Sequence, residues 1–273
     1  MPENASETIK CWKLSGGRFS PAETAVIIEK ELPVYVNGAH LFTASITPGM
    51  EKEFVAGYLF GQGFINSARE IKSIEIEGGG TKVVLEKGPK DTPAPVKASY
   101  RIVSGGGKTA YFDASTLPKI KSRIRLPKAD IFKAMSALFE QAILYRETEG
   151  VHAAALFTPE VKPVCVVEDI GRHNTLDKAI GYALLNGIDL NNVFMVSTGR
   201  MASEMVTKIC RAGIPLVATK TAVTDKGLEI GRKCGLTIIG FVRDVGSKIN
   251  TDMEVREFTK AEMKIYCGAE RVI

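Results

Sequence analysis

The run Glu168-Asp169-Ile170-Gly171-Arg172-His173-Asn174-Thr175-Leu176-Asp177-Lys178 gathers carboxylates, cations, an imidazole and an amide in a single short stretch. Side chains of these types at this density hold an anion or move a proton. Asp169 with His173 has the makings of an acid/base pair, yet no Ser or Cys nucleophile stands near it in the sequence. Further on, Ser197-Thr198-Gly199-Arg200, Thr219-Lys220-Thr221 and Arg243-Asp244 offer hydroxyls and more cations. Arg172, Arg200 and Lys220, with Arg243 nearby, suit an anionic ligand such as a phosphate-bearing small molecule. His152 could serve as a base or metal ligand, but at the head of an apolar run it reads first as a satisfied buried histidine. Cys165 lies inside an apolar run and reads as inert core. The five cysteines are scattered and no Cys-x-x-Cys spacing occurs. Neither a disulfide framework nor a zinc site is therefore expected. Gly107-Lys108-Thr109 ends like a phosphate-binding loop, but the first glycine of that motif would fall at Ile102.

These polar segments need elements to position them. Val164-Cys165-Val166-Val167 reads as a buried strand ahead of the first cluster. Leu176, Ile180, Ala183 and Leu184 mark one face of a following helix. Asn174 is its expected N-cap and Gly187 its stop. A rhythm then sets in: strand 193–196, helix 202–211, strand 215–218, helix 224–233, strand 236–242. Alternation with short links implies parallel strands joined by right-handed crossovers. The polar segments then share the C-terminal edge of one sheet, where α/β proteins bind ligands and helix N-termini add N–H groups. Before this, Pro127–Arg146 reads as one long helix and Val151–Phe157 as a strand.

The amino-terminal half is less regular. Residues 1–22 read as a lead-in and 23–110 as a small α+β domain, ahead of an α/β domain over 111–273. Strands are expected at 24–31, 39–46, 74–77 and 82–85, with a hairpin turn at Asn37-Gly38. Thr47-Pro48 is expected to open a helix whose buried face is Met50, Phe54, Val55, Tyr58 and Leu59. Lys87–Val96 reads as a loop, and the glycines at 105–107 as a ligand-hugging or mobile one. The chain has 273 residues, 45% hydrophobic and 25% charged, which suggests about two domains of an ordinary globular protein. No apolar run has membrane-span length and the first residues lack a signal-peptide core, so a cytoplasmic protein is expected. The net charge of +5 is too mild to argue for nucleic acid.

Taken together, several segments resemble a known family. Gly150-Val151-His152-Ala153-Ala154-Ala155-Leu156-Phe157, then Glu168 to Asn174, Gly199-Arg200 with Ser203-Glu204-Met205, and Gly240-Phe241-Val242-Arg243 are similar in order and spacing to the formate dehydrogenase accessory protein family (FdhD/NarQ). Val36-Asn37-Gly38 and Glu53 to Leu59 extend the resemblance, which covers about residues 23–273. It implies a cytidine-deaminase-like three-layer α/β domain after the small α+β domain. It implies a sulfurtransferase that carries sulfur from a cysteine desulfurase to the molybdenum cofactor of formate dehydrogenase. It also implies binding of that cofactor in its bis-molybdopterin guanine dinucleotide form, with the family's cofactor segment mapping onto Phe241, Val242, Arg243, Asp244, Val245 and Gly246. Guanine nucleotide would be a ligand and a homodimer is compatible. Where the family commonly carries a persulfide cysteine, this chain has Val103 or Ser104, so its catalytic residue is unassigned. The zinc signature of deaminases is absent as well. Two other readings follow: a cofactor-binding chaperone without sulfur transfer, and a nucleotide-processing enzyme of deaminase ancestry.

Overall fold

Residues 5–86, 101–102, 108–109, 116–244 and 261–273 are described by a computed structural model. The glycine loop at 103–107, the 87–96 segment, Val245 and Gly246 lie outside the described residues, as does all but Ala261 and Glu262 of the 247–262 segment.

The lead-in expected at 1–22 is instead largely a β-hairpin: β1 (Ser6–Ser15) pairs antiparallel with β2 (Arg18–Ile27). Its turn is Gly16-Gly17, both at positive φ, which only glycine adopts freely. A four-stranded sheet follows, in the order β4-β3-β6-β5. Its strands are β3 (Lys30–Val36), β4 (Ala39–Ile46), β5 (Ile71–Glu77) and β6 (Gly80–Leu85). Asn37 and Gly38 turn β3 into β4 with φ of 47° and 81°, as that pair predicts.

Helix α1 (Glu51–Gly61) starts later than Thr47-Pro48. The reason lies in Thr47, which is buried: its N–H donates to Asp169 Oδ2 (3.1 Å) and its Oγ1 accepts from Ile170 N (3.0 Å). That joint holds the chain extended until Gly49 and Met50, both at positive φ, swing it into the helix. Two-residue strands β7 (Arg101–Ile102) and β8 (Lys108–Thr109) come next.

The expected long helix is two, α2 (Lys128–Gln141) and α3 (Ile143–Thr148). Glu168 explains the break, because its carboxylate accepts the Leu144 and Tyr145 N–H groups at 3.2 and 2.7 Å. Those are orphan donors of a helix start, so a new helix begins there.

The remaining elements form a six-stranded sheet in the order β10-β9-β11-β12-β13-β14. They are β9 (His152–Phe157), β10 (Pro163–Asp169), α4 (Arg172–Leu185), β11 (Phe194–Ser197), α5 (Ser203–Ala212), β12 (Leu216–Thr219), α6 (Asp225–Cys234), β13 (Thr237–Asp244) and β14 (Ala261–Cys267). Strands β11, β12 and β13 are parallel, as the alternation predicts. β9 and β14 run antiparallel to their neighbours, so the sheet is mixed. β10, two antiparallel steps from β11, points the same way as β11–β13. The ends of β10 to β13 named from sequence therefore do share one edge, and the start of β9 joins them.

Alternate residues of each strand enter opposite cores. Ala154, Leu156, Met195, Val217 and Ile238 face a core shared with α4–α6, α1 and the small sheet. Ala155, Phe157, Phe194, Val196 and Ile239 face α2. Helices α1 and α4 cross with almost no gap. A Cβ on Gly57 would lie 1.9 Å from the Asp177 carbonyl oxygen, and one on Gly181 would lie 1.8 Å from that of Glu53. Among the described residues no helix is long and apolar enough to cross a membrane.

Candidate functional site

Helix α4 begins at Arg172, with Gly171 rather than Asn174 at the cap. Asn174 is occupied elsewhere: its amide donates to Ser45 O (2.9 Å) and to Asp169 Oδ1 (2.8 Å). Asp169 is fully buried, with Lys178 Nζ at 2.7 Å and the Gly171 and Thr47 amides as further donors. A buried carboxylate requires such pairing. Asp169 and Asn174, named from sequence for the ligand edge, thus spend their polar atoms tying β4, an edge strand of the small sheet, to the larger unit.

Arg172 and Arg200 do come together. Arg172 follows β10 and Arg200 follows β11, and Gly199 lets them approach, since a Cβ there would lie 3.0 Å from the Cβ of Arg172. Burial, and next the charge of Arg200, lower the Arg172 pKa, which Glu204 partly offsets. Arg200 is exposed.

His152 stands at the same edge. Burial first, then Arg172 and Arg200, hold its pKa below the ordinary histidine value. Its Nδ1 lies 3.3 Å from Thr198 Oγ1, which accepts the Ala153 amide at 3.0 Å. Sequence reasoning set His152 aside because the strand after it is apolar; that it opens the strand, and so sits at the edge, was the signal.

His173 points inward. Its Nε2 is buried without a partner among the described residues. Burial, then Lys208, Arg172 and His152, push its pKa down to about 3, so the ring is neutral at pH 7. Lys208 pairs at 2.5 Å with Asp177, whose own pKa burial raises.

Hydroxyls close the floor of the edge. Ser197 Oγ accepts Gly199 N–H (3.0 Å), and Thr219 Oγ1 donates to Gly199 O (2.7 Å). Ser197 is thus buried behind the Gly199-Arg200 turn and shapes it. Lys220 is engaged against α2 and α3: its ammonium is 3.3 Å from Tyr145 Oη and 4.9 Å from the Phe139 ring centre.

On β13, Phe241 has φ of 53°, inside a register shift between Gly240 and Arg243. A non-glycine residue held there stores strain, a feature that clusters at ligand sites. Arg243 and Lys264 approach its ring at 5.4 and 4.9 Å. Val242 is buried in the core against α2 and presents no side chain to the edge.

The thiols lie elsewhere. Cys165 is shielded by burial, which pushes its pKa up to about 12. Cys210 and Cys234 are in hydrogen-bond contact. That contact raises the Cys210 pKa and lowers that of Cys234, with burial opposing the latter and Lys119 assisting it. Cys267 is half-buried beside them; its Sγ donates to Leu236 O at 3.1 Å and burial raises its pKa. This trio sits at the opposite end of the sheet, where β13 begins. Among the described residues no three His, Cys, Asp or Glu side chains are placed to hold a metal.

Comparison with known proteins agrees along nearly the whole chain. The FdhD/NarQ family model matches residues 27–273. A relative from Shouchella clausii, called "Sulfur carrier protein FdhD", is 30% identical over 92% of this chain and 97% of its own. One of the same description from Bacillus subtilis is 31% identical over 94% of this chain and 100% of its own. A solved structure is described as the "Crystal structure of a putative formate dehydrogenase accessory protein from Desulfotalea psychrophila". It superposes with a TM-score of 0.77 at 25% identity, covering 98% of this chain and all (100%) of that one.

Proposed function

The chain belongs to the FdhD/NarQ family, and from that premise we propose that it is a formate dehydrogenase accessory protein of the sulfur-carrier type. In this reading it takes sulfur from a cysteine desulfurase and delivers it to a molybdenum cofactor held as cargo in its bis-molybdopterin guanine dinucleotide form. The observation that carries the cargo site is the Arg172–Arg200 pair beside His152. Two neighbouring guanidiniums repel each other, and a phosphate between them turns the repulsion into charge-assisted hydrogen bonds. With the Thr198 hydroxyl proton assigned toward Nδ1, His152 keeps its own hydrogen on Nε2 and adds a neutral donor to that edge. Phe241, locked at positive φ, is available to face a guanine ring.

The six-stranded sheet between α2 and the α4–α6 layer supports a cytidine-deaminase-like arrangement. Residues 23–110 and 111–273 are read as two domains with a shared core, working in the cytoplasm. Formate dehydrogenase made in a host without its own relative should be inactive and should recover activity when this chain is supplied. Cofactor-loaded enzyme that stays inactive would remove the reading.

A chaperone that holds the cofactor without moving sulfur is the second reading, and the absence of cysteine at Val103 and Ser104 favours it. The two separate on sulfane sulfur: a carrier acquires it from a desulfurase and a chaperone does not.

A further inference from the structure

Ahead of α2, from residue 119 to residue 126, the chain runs extended and its side chains alternate. Ile120, Ile124 and Leu126 are buried, whereas Lys119, Lys121, Arg123 and Arg125 are exposed. The segment is pinned at both ends. Ile120 N–H donates to Cys234 O (2.9 Å), Leu126 N–H donates to Arg271 O (2.8 Å), and Ile273 N–H donates to Leu126 O (2.9 Å). Extended backbone advances about 3.3 Å per residue, so successive outward cations stand roughly 7 Å apart in a row.

Among the described residues the fold engages only the first of these four charges. Lys119 Nζ donates to the Lys233 carbonyl. Among the described residues none of the four meets a carboxylate; the acidic ion-pair partners lie elsewhere. The row therefore repels itself in the free protein, at a spacing comparable to the screening length at physiological salt. The inward residues alone would satisfy packing.

We propose that this row is a docking surface for an extended acidic segment of another protein, one carrying carboxylates on alternate residues. Alternate residues of an extended partner repeat at the same interval as the cations, so each Asp or Glu meets one of them. The surface is built for a peptide rather than for single-stranded nucleic acid, because 119–128 contains no aromatic side chain on which bases could stack. The row begins beside Cys234 and ends beside Arg271, so a docked segment would lie next to the thiol trio. The proposal does not depend on sulfur transfer.

The test is fluorescence anisotropy with the full chain. Three labelled probes are compared: a peptide alternating Glu and Ser, a peptide of equal composition with its glutamates in one block, and oligo-dT. The alternating peptide should bind more tightly than the block peptide, with affinity falling as salt rises. The triple change Lys121→Glu, Arg123→Glu, Arg125→Glu should weaken it by about tenfold or more, as expected for three exposed charge contacts. Reversing Lys10, Lys13 and Arg18 on the hairpin to Glu should leave it nearly unchanged. If the first triple variant does not fold, the Gln versions of the same residues serve, with a smaller loss expected. Absent peptide binding, equal loss in both variant sets, no preference for alternation, or tighter oligo-dT binding through the same cations would each overturn the proposal.

Discussion

Lys178 Nζ lies 2.7 Å from Asp169 Oδ2, and both side chains are sealed from solvent. The ammonium also donates to Thr47 O (2.9 Å), and the carboxylate accepts the Thr47 N–H (3.1 Å). One buried ion pair thus grips a single residue of the small unit from both sides. Removing one partner leaves the other charged and unpaired, which costs about 3–5 kcal/mol. Asp169→Ala should lower the unfolding free energy by that amount in urea titrations. A loss below about 1 kcal/mol, within the range of exposed pairs, would mean the joint is solvated.

The α1–α4 crossing is a second joint. Gly57 and Gly181 have no room for a methyl group, because the obstacle is backbone in each case. Gly57→Ala should destabilise by about 3 kcal/mol, at the upper end of overpacking, since neither helix can yield a side chain instead. Thermal unfolding checks this, and a neutral substitution would show that the helices sit further apart.

How much of this was legible in the sequence differs from element to element. The strand–helix alternation after residue 193 was readable because apolar runs and the glycine stops at Gly213 and Gly235 agree there. The convergence of Arg172 and Arg200 followed from strand direction alone. What failed was whatever depends on a distant partner. Thr47-Pro48 resembles a helix start until Asp169 binds Thr47. Pro127–Arg146 resembles one helix until Glu168 captures the N–H groups at 144 and 145. Asn174 resembles an N-cap until Ser45 and Asp169 compete for its amide. The hairpin over 6–27 was missed because exposed Trp12, Leu14 and Phe19 do not produce the buried alternation that marks a strand.

Arg200 is the site residue most open to a clean test, since it is exposed. Arg200→Ala should weaken GDP binding by roughly tenfold or more, because charge-assisted contacts contribute about 1.5–3 kcal/mol. Isothermal calorimetry measures it directly, and unchanged affinity would remove Arg200 from the site. Lys220→Ala should have a smaller effect, because its ammonium is held over Phe139 and Tyr145.

His173 makes stability depend on pH in a definite direction. Its folded pKa is about 3, depressed first by burial and then by Lys208 on α5, Arg172 on α4 and His152 on β9. The unfolded chain titrates it near the ordinary value of about 6.5. Between these values the unfolded state binds the extra proton, so stability falls as pH falls, by up to about 1.4 kcal/mol per unit. From pH 6.5 to pH 5 the wild type should lose roughly 2 kcal/mol more than His173→Gln. Urea titrations at the two pH values give the comparison. Equal losses would mean that His173 is solvated, or that a counter-charge protects its protonated form.

The family resemblance implies a persulfide cysteine where this chain has Val103 or Ser104, and neither an alkyl group nor a hydroxyl can carry sulfane sulfur. Ser104→Ala should therefore leave GDP affinity and maturation activity nearly intact. Cys165 is an unsuitable carrier, because burial pushes its pKa up to about 12 and the thiolate is the nucleophile. Cys210 and Cys234 are buried against each other. Cys267 is half-buried at the end of β14 and leads into the C-terminal tail, so it is the trio's point of entry. Attack of its thiolate on a desulfurase persulfide would move the terminal sulfur across and release the donor's thiolate, with no external oxidant. After incubation with a desulfurase and cysteine, mass spectrometry should find one added sulfur on Cys267 or none anywhere. Cys267→Ser should abolish any such addition while leaving GDP binding unchanged. Sulfur mapped to Cys165 on β10, or activity lost in Ser104→Ala alone, would show that the working end of the molecule is not the tail.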